Sequence, residues 1–100
     1  MTSNEKKIMN SHILISKLRD DLYKFCYDKI IPKAPYLKSE LELIKSFDIH
    51  RIIYIFSNCN LDDLIIGWEK QFGLNRNDFL VEDFDKLLLY LKAIQELSKL

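Results

Sequence analysis

Apolar residues recur every three or four positions along most of the chain, and that spacing predicts a succession of helices. Ile15, Leu18, Leu22, Phe25 and Cys26 form one stripe, widened by Leu14. The helix carrying it has two candidate starts: Thr2, which with Glu5 fits a capping box, and Ser11. It should end by Ile31, because Pro32 lacks a backbone donor and disfavours helix in the residue before it. Residues 32–35, Pro-Lys-Ala-Pro, are expected to form an extended linker. Ser39 and Glu42 make a second capping box around Leu41, Ile44 and Phe47. Ile49, Ile52, Ile53 and Phe56 continue the helical spacing, and Asp48 offers a cap that would split this segment in two. Residues 51–56 are also rich in β-branched and aromatic types, which suit a strand. The rest of the chain supplies no partner strands, so helix is the expectation.

Residues 57–60 read as a polar turn ending in Asn60, a good N-cap, with Asp62 and Asp63 in the first turn where the helix dipole favours acid. Leu61, Leu64, Ile65, Trp68 and Phe72 mark the buried face of that helix. Gly73 sits where a left-handed stop belongs, with Leu74 to close over the last turn. After a turn at residues 75–78, the last helix begins between Asp78 and Asp85. Its stripe is Leu80, Phe84, Leu87, Leu88, Leu91, Ile94 and Leu97. Leu89 and Tyr90 make this face wider than a two-layer packing needs, so the helix is either central or part of an interface, and a homo-oligomer is compatible with it. The fold class expected is all-α: a single domain over residues 1–100, built as a small antiparallel bundle of about four helices.

Composition narrows the picture. The chain is 48% hydrophobic and 30% charged, which suits a globular domain rather than a disordered one. Two glycines and two prolines leave little turn chemistry for a many-stranded sheet. The polar start lacks a secretory signal, and no apolar run approaches the roughly 20 residues of a membrane span. Cys26 and Cys59 are too few for a disulfide scaffold, so two thiols in a reducing cytoplasm are expected, Cys26 buried and Cys59 more accessible. The formal charge of zero hides an asymmetry. Residues 1–58 hold ten Lys/Arg and seven Asp/Glu, net +3, and residues 59–100 hold five and eight, net −3. Asp62, Asp63, Glu69, Asp78, Glu82, Asp83 and Asp85 concentrate the acid in one short stretch, against Lys70 and Arg76.

Candidate chemistry is sparse. His12, His50, Cys26 and Cys59 show no metal-site spacing, and no metal or cofactor is expected. No glycine-rich phosphate loop occurs, and neighbouring carboxylates such as Asp62–Asp63 point about 100° apart on a helix, so they are not acid–base dyads. The expectation is a protein that is not an enzyme. Lys6, Lys7, Lys17, Arg19, Lys24, Lys29, Lys33 and Lys38 populate the first third, but Asp20, Asp21 and Asp28 interrupt them. A helix-turn-helix over residues 60–83 would present Glu82, Asp83 and Asp85 to phosphate, which argues against nucleic acid.

Residues 57–74 resemble the recognition helix of acyl carrier proteins, which reads Asp-Ser-Leu before an acidic amphipathic helix ending in Glu-x-Phe-Gly-Ile. Here Asn58 stands in place of the serine that would carry phosphopantetheine, so the resemblance implies a docking helix without a prosthetic group. The expected function is protein binding. Asp62, Asp63, Glu69, Glu82, Asp83 and Asp85 are the candidate contacts to a basic partner, such as a toxin met by its cytoplasmic immunity protein or antitoxin. Helix capping alone explains part of this cluster. Tyr23, Tyr27, Tyr36, Tyr54 and Tyr90 exceed what a small core requires, and tyrosine is favoured at interfaces. The alternatives are a carrier-like or adaptor module and a DNA-associated regulator.

Overall fold

A computed structural model describes residues 3–100, with the side chains of residue 6 and residues 9–100. Five α-helices account for most of it: α1 (Ser3–Phe25), α2 (Lys38–Ser46), α3 (Ile49–Asn58), α4 (Leu61–Phe72) and α5 (Val81–Ser98). The described residues contain no strand, so residues 51–56 are helical, as their spacing predicts. The capping box at Thr2 and Glu5 lies outside the described residues. Ser11 is an interior position of α1, not its start.

α1 and α5 pack against each other along their length. They run antiparallel, because Phe25 at the end of α1 meets Tyr90 while Leu18 borders a hollow with Ala93. At a rise of about 1.5 Å per residue, 23 residues of α1 cover about 35 Å, most of the molecule's 47 Å long axis. Ile15, Leu22, Cys26 and Ile30 face Leu87, Leu91 and Ile94, and every one of them is at most 1% exposed. α3 closes over α5, and α2 leans on α1.

The end of α1 shows why the chain turns. Pro32 cannot donate to the Asp28 carbonyl, and its ring would crowd that carbonyl. The helix widens into a π turn over Cys26–Ile30, closed by the Ile31 amide donating to the Cys26 carbonyl at 2.7 Å. Residues 32–35 are not the extended linker expected from the two prolines. The amides of Lys33 and Ala34 both donate back to the Ile30 carbonyl, and Ala34 is fully buried. Pro35–Leu37 then form a 3-10 turn that runs directly into α2. This overturns the Ser39–Glu42 capping box: the helix is continuous with the 3-10 turn, Ser39 lies inside it, and the Glu42 carboxylate accepts the Tyr27 hydroxyl at 3.1 Å instead.

Asp48 does split the next segment. Its carboxylate accepts the Arg51 amide at 2.9 Å and starts α3. α4 begins and ends as its sequence implies. Asn60 accepts the amides of Asp62 and Asp63, Gly73 adopts φ 76°, and the Leu74 amide reaches back to the Trp68 carbonyl. Leu74 and Trp68 are both buried. α5 starts at Val81 behind Leu80, which is 55% exposed and so does not belong to the buried stripe. Its extended backbone at the N-cap turns the side chain away from the helix face below. Leu89, on the face opposite Leu87 and Leu91, is exposed as well.

Two stability outcomes follow from α4. Trp68→Ala removes the largest side chain tying α4 to the core and should cost about 3–5 kcal/mol in urea denaturation. Gly67 lies in the interior of α4, and nothing lies within 4 Å of the Cβ that alanine would add. Gly67→Ala should therefore stabilise the fold, by about 0.5–1 kcal/mol. A lower denaturation midpoint for Gly67→Ala would contradict this packing.

Candidate functional site

The candidate carboxylates separate into two groups. Asp62 and Asp63 sit exposed in the first turn of α4, where the Asn60 side chain accepts their amides at 2.9 and 3.3 Å. They stand beside the end of α5: Asp62 lines an open polar cleft of about 490 Å³ together with Lys92, Gln95 and Lys99. Glu82, Asp83 and Asp85 occupy the opposite end of α5. Along that helix Asp83 and Gln95 lie about 18 Å apart. Glu69 belongs with this second group. It pairs with the Arg76 Nε at 3.8 Å, and the Arg76 guanidinium lies 4.8 Å from the Phe84 ring centroid. Asp78 is also at this end, close enough to Tyr36 to help burial raise that hydroxyl's pKa. The concentration of acid in the sequence is thus divided by the length of α4, whose start does not bend round to meet Glu82, Asp83 and Asp85.

Two polar ties with no sequence signature hold the ends of α3. The Arg19 guanidinium of α1 donates to the Phe47 carbonyl at the break between α2 and α3. The Gln95 amide of α5 donates to the carbonyls of Phe56 and Cys59, at 3.2 and 2.6 Å. Both satisfy backbone acceptors that a helix end leaves open. Asn58, the last residue of α3, donates to the Tyr54 carbonyl at 2.8 Å. Of the five tyrosines, Tyr23, Tyr36 and Tyr90 pack against the core, which leaves Tyr27 and the 71% exposed Tyr54 at the surface.

The nucleophile candidates are held in their unreactive forms. Burial pushes the Cys26 thiol up to about 12. Cys59 is raised too, by burial first and by the Asp63 carboxylate second. A thiolate is the reacting species, and neither site favours one. His50 faces His12 across α1 and α3, ring edge to ring face, with centroids 5.8 Å apart. Among the described residues no group of three or more His, Cys, Asp or Glu side chains could hold a metal ion. Among the described residues no helix is long and apolar enough to cross a membrane.

Apolar hollows accompany the polar cleft. One, of about 280 Å³, is shallow and lies between Leu18 of α1 and Lys86, Leu89 and Ala93 of α5. Another, of about 130 Å³, is more enclosed and lies among α2, α3 and α4, with Trp68 and Phe56 inside and Glu40 and Leu43 among its lining. Sequence reasoning missed this groove. Its one trace is Leu43, an apolar residue outside the Leu41–Ile44–Phe47 stripe and 50% exposed.

No protein-family model matches the chain, and no curated protein or solved structure is significantly similar to it.

The thiol environments predict an order of reaction. A maleimide or disulfide reagent added to the native protein should label Cys59 first and faster with rising pH, as more of its thiol ionises. Cys26 should react only at the rate of unfolding. Fast labelling of Cys26 in native buffer would contradict its burial.

Proposed function

We propose that this chain is a non-enzymatic, cytoplasmic protein-binding module. The most concrete form of that reading is a small inhibitor, such as a bacterial toxin-immunity protein or antitoxin, that presents carboxylates to a basic partner. What supports it is the lack of internal partners for those carboxylates. Among the described residues the ion pairs are Asp28 with Lys29 and Glu69 with Arg76. Asp62, Asp63, Glu82, Asp83 and Asp85 join neither. The helix dipole explains why Asp62, Asp63, Glu82 and Asp83 occupy first turns, with Asp85 just beyond, but it leaves their outer oxygens to solvent. Carboxylates fixed on rigid helix starts steer a basic partner during encounter and then hold its register. The two shielded thiols and the paired imidazoles offer no competing catalytic set.

The division of the acids makes the reading testable end by end. With a partner captured from the native host and identified by mass spectrometry, Asp62→Lys with Asp63→Lys reverses one group, and Glu82→Lys with Asp85→Lys reverses the other. At least one pair should slow association on the order of tenfold and flatten its salt dependence. Lys24→Glu and Lys38→Glu serve as controls that leave association unslowed. Thermal melts run beside the binding curves, because reversal at a helix start also costs about 0.3–1 kcal/mol of dipole stabilisation. An affinity indifferent to salt and to both reversals would reduce the acids to helix capping.

A further inference from the structure

The groove among α2, α3 and α4 is left unfilled by the fold. Phe56 and Trp68, each 3% exposed, form its floor, Ile55 and Leu64 line its walls, and Leu43 and Glu40 stand at its mouth. Its volume of about 130 Å³ is close to the roughly 150 Å³ of an apolar cavity that takes up benzene. One leucine or phenylalanine side chain is therefore the size of guest it admits, and its lining calls for an apolar one.

Charge specifies what accompanies that guest. Glu40 lines the groove itself, and Asp63 acts electrostatically on Cys59, another lining residue. No Lys or Arg is part of the lining. Two cations meet one lining residue, Phe47, and both are engaged there: Arg51 lies over its ring at 4.6 Å, and the Arg19 guanidinium donates to its carbonyl. An apolar group entering here thus passes beside Glu40, which joins neither ion pair among the described residues, with the Asp63 carboxylate near enough to act on Cys59. α4 also sits less closely on its neighbours than α1, α3 and α5 sit on one another, and is held by the side chains of Ile65 and Trp68.

We infer that this groove is the anchor pocket of the protein-binding surface: it takes one apolar side chain from a partner segment that carries Lys or Arg beside it, and Glu40 and Asp63 receive that cation. Buried pockets filled by a single anchor side chain dominate many interfaces. The inference rests on the protein-binding reading above, and it centres the contact on the α4 start rather than the α5 start.

Twelve-residue peptides selected on the folded full chain from a random phage-displayed library provide the probe. Trp68 is the only tryptophan, so its emission reads occupancy of the groove directly. Enriched peptides should carry Leu, Ile, Phe or Met within two residues of Lys or Arg, and should shift Trp68 emission saturably. Replacing the apolar residue by Ala should weaken binding at least tenfold. Ile55→Phe, which fills the groove, and Glu40→Lys, at its rim, should each do the same with an unchanged helical spectrum, while Glu82→Lys should not. Glu40→Lys keeps the test valid if Ile55→Phe disturbs packing. Peptides that bind without moving Trp68 and respond to Glu82→Lys would overturn the pocket and leave the protein-binding reading standing. If no peptide is enriched but benzene shifts Trp68 emission, the groove holds small molecules and the inference fails. Self-association that Glu40→Lys dissolves would make the occupant a second copy of this chain, which also overturns it.

Discussion

Ile15, Leu22, Cys26 and Ile30 on α1 lock against Leu87, Leu91 and Ile94 on α5, and this dry antiparallel seam is what the other helices are built upon. It joins the two longest helices of the molecule and sets its long axis. Such close packing tolerates neither a cavity nor a buried polar group without cost. Cys26, the one thiol in the seam, is kept protonated by the same burial. The seam also explains the turn after α1. The π turn and the buried Ala34 bring the chain back onto the core instead of letting it run on as a linker.

α3 is then fixed from both sides of that seam. Arg19 reaches from α1 to the carbonyl before it, and Gln95 reaches from α5 to the carbonyls at its end. Each tie satisfies a backbone group that the break in the helix would leave bare, which is why the chain can afford two sharp changes of direction within a short span. Packing between elements thins in that order, from the seam, through the clamped α3, to α4. Functional surfaces tend to be drawn from the less tightly held end of such a series. α4 combines that position with an acidic start and an apolar groove beside it.

The electrostatics fit the same layout. Acids collect where helices begin because the dipole favours them there. Two helices that begin at opposite ends of the molecule necessarily present two acidic ends. Their closeness in sequence follows from the order of α4 and α5 along the chain, not from a shared patch. The basic half of the chain has found other uses for several of its charges. Lys38, Lys45 and Arg51 lie over aromatic rings, and Arg19 serves the α3 junction.

The amino-acid sequence by itself determined the helices, because the forces that start, stop and face a helix act over three or four residues. Asn60, Gly73, Asp48 and the stripes of α1 and α5 could all be read on that scale. The same scale misled where a neighbour outside it took over. Ser39 and Glu42 have the spacing of a cap, but the 3-10 turn before them runs straight into α2 and leaves Ser39 inside the helix. Leu80 has the spacing of a core residue, yet it precedes the helix. Tertiary structure alone decided which acids are neighbours, which carbonyls Arg19 and Gln95 satisfy, and that a groove remains beside Trp68. A pocket is volume left over where three helices meet, and no single stretch of the chain encodes a space that belongs to none of them.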